Sequence, residues 1–569
     1  GAVTLKPDSL EGTRQDGRKV SVPFGKDGAK YRIAQSDAVT KVSNGVVATG
    51  DFTEERTIIL DGVSTNGIIN INAPNGATKK IVLQLRGTNQ VKCISYGAGN
   101  KELTNNNSAL TIDSYASSGS TTGELYIPRK MESKEEIINY VAQGTTGGLG
   151  DNWAAAGIGG FYQNGSQGTT GLTISGGTIC VLTSKQNCAT AIGGGANADG
   201  EVTITGGDIT AICCGTGAAI GGGIGWQERG GRGKVTIIGG RVYAENYEYY
   251  SRPGTDNYGG VAIGSGSSFQ KDGASADIEI SGDSYVKAYA RYGNAIGSGN
   301  SYDGIAAQAN ITISGDSFVM TNALGGGTSK SKKGGSANIT ISDQAHVECV
   351  NYSKVTDKYD SSSTNELGAF GIGGGGSRGN AKGGSAVVTI SGGTVNCNGG
   401  KIGGGSAENG AGGDASVMIT GGNLDCASIG GGDSVTGTPG AVTKSSTDKN
   451  GTGEAGIEIS GGTIKTGTIG GGKNGSGAIG FATAKISDGE IQGQFVLANS
   501  DENKHCSFEM TGGTIDNQNL SSAGYERAQA NGGAVYLDDK NGRVTISGGT
   551  IKNATGVLGG AVYMKSGTF

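Results

Sequence analysis

The stretch "VTITGGDITAICCGTGAAIGGG", residues 202–223, contains three short segments that follow one another closely. In the first two, "VTI" and "DITAIC", apolar side chains alternate with polar or small ones, and a glycine pair separates the segments. The third segment is "AIGGG". Alternation of this kind is typical of short β-strands, and glycine pairs are typical of the turns between them. The stretch therefore predicts three strands.

The same segments recur along most of the chain. The first, whose clearest form is "VTISGG", has its central residue at Ile174, Ile204, Ile237, Ile280, Ile313, Ile341, Ile390, Ile419, Ile459, Ile486, Met510 and Ile546. The third recurs at 191–195, 219–223, 401–405, 428–432 and 468–472. Successive first segments are separated by 24 residues (Ile486 to Met510) to 49 residues (Ile341 to Ile390). A period in this range is typical of a solenoid whose coils bury apolar side chains against their neighbours. We therefore predict an all-β fold, a right-handed parallel β-helix solenoid with three strands per coil.

The regularity of the repeat divides the chain into three predicted regions. Residues 1–30 are expected to form an amino-terminal cap, residues 31–165 irregular first coils, and residues 166–569 the regular glycine-rich β-helix. Within the second region, "MESKEEIINYVAQ" (131–143) has helical periodicity and predicts a short helical insertion. The final stretch ends within a coil pattern, which predicts that the natural protein continues beyond it.

Composition argues against several classes of function. The net charge is only −5 and no run of Lys and Arg forms a basic stripe, so nucleic acid is not expected as a partner. No apolar run is long enough to span a membrane. The nine cysteines form no C-x-x-C pair and only two histidines accompany them, so we predict no metal and no cofactor. Cys397 and Cys426 hold like positions in successive repeats, which predicts stacked buried thiols, with disulfides as the alternative.

Two pairs of sequence motifs resemble those of a known protein family. "AAIGGG" with "VTITGG", and "GGAVY" with "VTISGGTIKN", resemble the glycine-rich β-helix repeats of secreted or surface-attached proteins of Gram-positive gut bacteria. The resemblance covers residues 170–569 and, more weakly, 55–165. That family includes adhesin-like stalks and β-helix glycosidases such as lacto-N-biosidases. The resemblance therefore implies a secreted or cell-surface protein with a carbohydrate ligand, expected to be a monomer, but the repeat itself specifies the fold rather than the function.

Two long insertions are predicted at one corner of the coils, between the second and third strands. They are "ENYEYYSRPGTDNYGG" (245–260) and "NYSKVTDKYDSSSTNELGAF" (351–370), and "AYARYGNA" (288–295) falls at the same corner. These segments hold eight of the 20 tyrosines: Tyr247, Tyr249, Tyr250, Tyr258, Tyr289, Tyr292, Tyr352 and Tyr359. The concentration predicts a tyrosine-rich edge.

The opposite side of the third strand carries a second set of polar and aromatic residues, in 224–233, 267–273 and 300–304. The "IGGG" glycines are expected to form an open floor between the two sides, which makes a trough. Sugars bind in such places because aromatic faces stack on their C–H surfaces while polar groups bind their hydroxyls. The predicted substrate-binding residues are Trp226, Glu228, Tyr247, Tyr249, Tyr250, Arg252, Tyr258, Tyr292, Tyr302, Asp303, Tyr352 and Tyr359. The alternative is that these aromatic residues only pack the loops onto the stack.

The carboxyl groups near this trough make a glycoside hydrolase the first hypothesis. Cleavage of a glycosidic bond needs two carboxyl groups, roughly 5 Å apart for retention and up to about 9.5 Å for inversion. The candidates are Glu228, Glu245, Glu248, Asp256, Asp303, Asp357, Asp360 and Glu366. Two loops that meet over the floor could bring one acid from each face to face, so the preferred catalytic residues are Glu248, Asp256, Asp357, Asp360 and Glu366.

Two other functions remain open at this point. A lectin-like adhesin would use the same trough, with the acids only accepting hydrogen bonds from hydroxyls; a surface stalk without a ligand is the non-binding form of this alternative. A polysaccharide lyase would use Arg252 or Arg291 against an acidic polymer, although no acid cluster with the spacing of calcium ligands accompanies them.

Overall fold

A computed structural model describes most of the chain, in segments separated by gaps. The described residues are 3–7, 9–13, 18–23, 30–35, 45–71, 78–97, 108–115, 122–143, 155–160, 168–184, 190–247, 259–351, 371–442, 456–499, 504–518 and 531–569. The chain forms two compact units, unit 1 (Gly1–Ala295) and unit 2 (Ile296–Phe569).

Unit 1 is built almost entirely of short strands. Those before the helix are β1 (Val3–Leu5), β2 (Ser9–Thr13), β3 (Lys19–Pro23), β4 (Tyr31–Ala34), β5 (Val46–Ala48), β6 (Phe52–Asp61), β7 (Ile68–Asn70), β8 (Lys79–Arg86), β9 (Thr88–Gln90), β10 (Cys93–Ser95), β11 (Ala109–Ser114) and β12 (Glu124–Ile127). The helix α1 (Lys134–Gln143) lies within the predicted helical segment. After it come β13 (Ile158–Gly159), β14 (Thr169–Ile174), β15 (Thr178–Leu182), β16 (Ile192–Gly193), β17 (Gly200–Ile204), β18 (Asp208–Cys213), β19 (Ile220–Gly221), β20 (Gly233–Ile237), β21 (Arg241–Asn246), β22 (Ile263–Gly264), β23 (Ala276–Ile280) and β24 (Tyr285–Ala290).

The strands of unit 1 stack as a parallel β-helix with three strands per coil, as the sequence predicts. β2 pairs antiparallel with β1 and β3, whereas the later strands pair in parallel with their counterparts in the next coil. One line of first strands runs β8, β11, β14, β17, β20, β23; the second strands β12, β15, β18, β21, β24 and the third strands β10, β13, β16, β19, β22 form two further lines.

Isoleucines fill the interior because the repeat places one at the same position of each coil. Ile174, Ile204, Ile237 and Ile280 are in register on successive first strands, and all four are completely buried. The predicted interior line is therefore confirmed within unit 1.

Truncation of this line is expected to destabilise the protein. Ile237→Ala should lower the free energy of unfolding by about 2–5 kcal/mol, because the stacked neighbours cannot collapse into the cavity. Ile238 is the matched control, since it is the next residue but is 45% exposed; its alanine variant should stay within about 0.5 kcal/mol of the parent. Urea unfolding followed by circular dichroism measures both. Equal losses would contradict the interior placement of Ile237.

Unit 2 continues the same pattern in its own strands. They are β25 (Ile296–Gly297), β26 (Ala309–Ile313), β27 (Phe318–Thr321), β28 (Ala323–Gly325), β29 (Ala337–Ile341), β30 (His346–Cys349), β31 (Gly371–Gly373), β32 (Ala386–Ile390), β33 (Thr394–Gly403), β34 (Ala415–Ile419), β35 (Asn423–Gly430), β36 (Ile457–Gly470), β37 (Thr483–Ala498), β38 (Ser507–Met510), β39 (Thr514–Asp516), β40 (Val535–Ile546), β41 (Thr550–Lys552) and β42 (Val562–Thr568). The central residues of the first segments, from Ile313 to Ile546, are again in register on successive strands. All of them are buried except Ile546, which is half-buried.

The "IGGG" glycines let backbones pack where no side chain fits. In unit 2 the amide of Gly405 donates to the carbonyl of Gly384 (2.8 Å), and the amide of Gly413 donates to the carbonyl of Gly405 (2.8 Å). A Cβ added at Gly405 would lie 2.0 Å from the carbonyl oxygen of Gly375, far inside van der Waals contact. The high glycine content is thus a packing requirement of the third strand and of the segment that returns from it.

The one helix among the described residues, α1, is too short and too polar to cross a membrane.

Candidate functional site

The corner after β21 in unit 1 is held in place from inside the coil. Asn246, completely buried at the end of β21, donates from Nδ2 to the carbonyl oxygens of Gly215 (2.9 Å) and Gly217 (2.8 Å). These hydrogen bonds tie the end of β21 to the turn after β18. Because side chains alternate along a strand, the neighbouring Glu245 points to the outer face.

Glu245 is a buried carboxyl group on that outer face. It lies in register between Ile212 of β18 and Tyr289 of β24, and its exposed fraction is 1%. Tyr243 shares the outer face two residues earlier, and its hydroxyl donates a hydrogen bond to Oε2 of Glu245. Burial, followed by the negative charge and the hydrogen bond of Glu245, raises the pKa of Tyr243 well above its usual value. The tyrosine therefore remains a neutral donor throughout the physiological range.

A second tyrosine closes this site from the next coil. Tyr289 is 2% exposed, and its ring meets the ring of Tyr243 edge-on, with centroids 6.1 Å apart and planes at 60°. The sequence predicts that Tyr289 projects from the tyrosine-rich edge. The structure places Tyr289 on the outer face, in register with Glu245, but buried rather than exposed. Tyr289 is buried because it lies in register with Glu245 and packs against Tyr243.

Helix α1 supplies an apolar wall beside the same strands. A buried cluster of Tyr140, Val141, Leu182, Ile212 and Cys214 packs with Met131, Ile137, Cys180, Tyr243 and Tyr247. Tyr140 is 8% exposed, and its hydroxyl has no hydrogen-bond partner within the part of the chain that the structure describes. Burial raises the pKa of Tyr140 to about 12.

Tyr247 and Tyr292, two predicted substrate-binding residues, lie at this corner. Both are half-buried. Tyr247 follows β21 directly, and its amide donates to the carbonyl of Cys213 (2.8 Å). Beside Tyr292, the guanidinium of Arg291 lies 5.3 Å from the ring centroid. We call Tyr243, Glu245, Tyr247, Tyr289 and Tyr292 the Glu245 corner.

Trp226 lies in the segment after the third strand β19, apart from this set. Its ring lies against that of Phe269 of the next coil, with centroids 5.1 Å apart and planes tilted by 52°, and both rings pack on Ala196 and Ile224. The Trp226 amide donates to Oδ1 of Asn197 (2.9 Å). The rings are half-buried, and Glu228, the other predicted binding residue here, is exposed.

The glycines between these two sides do not form the open floor that the sequence predicts. Gly193, Gly221 and Gly264 of the third strands are all buried. The amide of Gly231, on the returning segment, donates to the carbonyl of Gly223 (2.7 Å), so the return of the chain covers these glycines. Within unit 1 the predicted trough is thereby reduced to the Glu245 corner and the Trp226–Phe269 pair.

The two predicted residues of unit 2 that the structure describes are Tyr302 and Asp303. The Tyr302 hydroxyl accepts a hydrogen bond from Nζ of Lys330 (2.7 Å), and this Nζ also lies 4.2 Å from the ring centroid. Asp303 is exposed. Tyr302 therefore has a local packing partner in the next coil.

The remaining predicted site residues lie outside the described residues. They are the catalytic candidates Glu248, Asp256, Asp357, Asp360 and Glu366, and the binding candidates Tyr249, Tyr250, Arg252, Tyr258, Tyr352 and Tyr359. These remain predictions.

Sequence reasoning did not single out Tyr243 or Tyr140. The signal for Tyr243 was available, because strand alternation places it on the same face as Glu245. For Tyr140 no local signal existed, since the contact between α1 and the second strands joins residues that are far apart in the chain.

The Glu245 corner combines a carboxyl acceptor, a neutral hydroxyl donor and aromatic surface, which are the groups that recognise sugar hydroxyls and C–H faces. Among the described residues, no group of three or more His, Cys, Asp and Glu side chains could hold a metal ion. Comparison of the chain with known protein families, with curated proteins and with solved structures gives no match.

Proposed function

We propose that the protein is a secreted or cell-surface glycoside hydrolase that binds an oligosaccharide at the Glu245 corner. The observation that carries the proposal is the buried Glu245 carboxyl group, held by the Tyr243 hydroxyl and surrounded by tyrosine rings. A carboxyl group on the outer face of a β-helix has no structural need to be buried beside aromatic rings, and acidic side chains are almost never fully buried unless they are paired. The family resemblance of the repeats supports the same class of ligand.

The size of the corner suits a short oligosaccharide. Its residues come from the adjacent coils of β21 and β24, and Ile212 of β18 lies beside Glu245 on the preceding coil. These three coils span roughly 10 Å at about 4.8 Å per coil. Hydrolysis requires a second carboxyl group within roughly 5–9.5 Å of the first. Glu248 and Asp256 follow Glu245 on the same insertion and are the proposed partners within unit 1.

A second candidate function, a non-catalytic glycan-binding adhesin, is favoured by the Trp226–Phe269 pair. The two half-buried rings lie beside the exposed Gln227 and Glu228. An aromatic platform with polar neighbours can bind sugar without cleaving it.

A panel of host and dietary oligosaccharides distinguishes these functions. New reducing ends that accumulate with time, without an unsaturated product, support the hydrolase. An unsaturated uronate product identifies a lyase instead. Binding without turnover of any glycan in the panel supports the adhesin.

Binding at the Glu245 corner is expected to depend on Tyr292. Tyr292→Ala should weaken the affinity for a bound oligosaccharide about 2- to 10-fold, the loss of one aromatic contact of about 0.5–1.5 kcal/mol. Tyr563→Ala in unit 2, which removes a tyrosine stacked on Tyr536, is the control and should leave the affinity unchanged. Isothermal titration calorimetry measures both. A loss confined to Trp226→Ala would move the binding site to the Trp226–Phe269 pair.

A further inference from the structure

Three cysteines stack on successive coils in the interior of unit 2. Cys349 ends β30, Cys397 lies in β33 and Cys426 lies in β35, and each is at most 2% exposed. Cys397 and Cys426 are in register, which confirms the stacking that the repeat predicts.

Two thiols of this stack, those of Cys349 and Cys397, lie close together. Val347 and Glu348 pair with Val395 and Asn396, so Cys349 meets Cys397 one residue further along. Their Sγ atoms are 3.1 Å apart. Paired parallel strands lie about 4.8 Å apart, which falls within the Cα separation of roughly 4.4–6.8 Å that a disulfide accepts. The two coils therefore hold the cysteines where a bond can form without a large backbone movement.

Cys426 has different hydrogen-bond partners from this pair. Its Sγ lies 3.6 Å from Oγ1 of Thr466, one coil further on, and 3.8 Å from the carbonyl oxygen of Ser428. The third thiol of the stack thus has partners of its own, although its strand is in register with that of Cys397.

We propose that Cys349 and Cys397 form a disulfide that joins neighbouring coils when the protein folds under oxidising conditions, and that Cys426 remains a thiol. With a small disulfide such as oxidised glutathione as the oxidant, the thiolate of one cysteine attacks a sulfur and expels one glutathione thiolate. The second cysteine then attacks the mixed disulfide and expels the other. The protein loses two electrons and two protons, and the oxidant is reduced to two molecules of glutathione.

The bond is expected to form during folding rather than afterwards. The hydrogen bond with Cys349, together with complete burial, raises the pKa of Cys397 well above its usual value in the folded protein. Since the thiolate is the attacking species, the folded protein should exchange slowly. The unfolded chain has no such restriction.

The cross-link closes a long loop in the chain. Cys349 and Cys397 are 48 positions apart, and the loop contains β31 and β32. A disulfide across a loop of this length restricts the unfolded chain strongly. It should therefore raise the midpoint of thermal unfolding.

Refolding followed by disulfide mapping tests the proposal. The reduced, denatured chain is refolded in a mixture of reduced and oxidised glutathione. The free thiols are then alkylated with N-ethylmaleimide in denaturant at acidic pH, so that buried thiols also react, and the unreduced digest is analysed by mass spectrometry. We expect a peptide pair linked through Cys349 and Cys397, with Cys426 alkylated. Alkylation of both Cys349 and Cys397 in the refolded parent, or a pair linked through Cys397 and Cys426, would overturn the proposal.

Serine variants give an independent measurement. Under the same oxidising conditions Cys349→Ser should melt several degrees below the parent, and this difference should shrink when a reductant is added. Cys426→Ser is the matched control and should retain the linked peptide. A difference between Cys349→Ser and the parent that reductant does not change would show that only packing was lost, and would count against the cross-link.

Discussion

Replacing Gly221 with alanine is expected to destabilise unit 1 by about 2–6 kcal/mol, the sum of a strained backbone and an overpacked contact. Gly221 has a φ of 130°, a conformation that only glycine adopts readily. A Cβ there would lie 2.0 Å from the carbonyl oxygen of Gly264 in the next coil. This oxygen is part of the backbone, which the pairing of Ile220 with Ile263 holds in register. It therefore cannot move aside to relieve the contact, as the end of a flexible side chain could.

A substitution at Gly62 distinguishes the effect of backbone strain from the effect of the overpacked contact. Its φ of 63° is also positive, but a Cβ at this position would meet no atom within 4 Å. Gly62→Ala should therefore cost only about 1–2 kcal/mol, the strain of the left-handed backbone. Thermal and urea unfolding followed by circular dichroism compare the two variants. Similar losses in both would mean that the close approach of neighbouring coils at Gly221 adds nothing.

The fold could be predicted because the same sequence pattern recurs in each coil. A residue such as Ile204 is constrained by the alternation of its strand and by its counterparts Ile174 and Ile237 in the adjoining coils. The structural role of the "IGGG" glycines could not be predicted from the sequence. Absence of side chains is equally compatible with an open floor and with buried backbone contacts, and only the path of the returning segment, which brings Gly231 onto Gly223, decides between them.

The candidate site was predicted in part, for related reasons. Tyr247 and Tyr292 could be placed at one corner because each follows a second strand of the repeat. The burial of Glu245 could not be derived in this way, because it depends on Tyr289 in the next coil and on the hydroxyl of Tyr243. The sequence shows that Glu245 is an acid in a tyrosine-rich insertion, but contacts between coils determine which acid is enclosed.

Glu245→Gln is expected to lower turnover of a cleaved oligosaccharide by about 10²-fold or more, the usual scale of acid–base catalysis, while affinity changes little. The amide keeps the shape of the side chain, and its oxygen still accepts the hydrogen bond from Tyr243. It cannot exchange a proton with the glycosidic oxygen or with water. The readouts are kcat from reducing-end release and affinity from calorimetry, with the thermal midpoint as a check that the variant is folded.

Glu228→Gln is the matched control, because Glu228 is exposed beside the Trp226–Phe269 pair. It should cleave at the parental rate if catalysis belongs to the Glu245 corner. If Glu245→Gln instead leaves kcat unchanged and weakens binding by about 1–3 kcal/mol, the carboxyl group acts only as a hydrogen-bond acceptor for the ligand. That outcome would contradict a catalytic role for Glu245. Turnover lost only on substitution of Glu248 or Asp256 would assign the chemistry to those acids and leave Glu245 as the group that positions Tyr243.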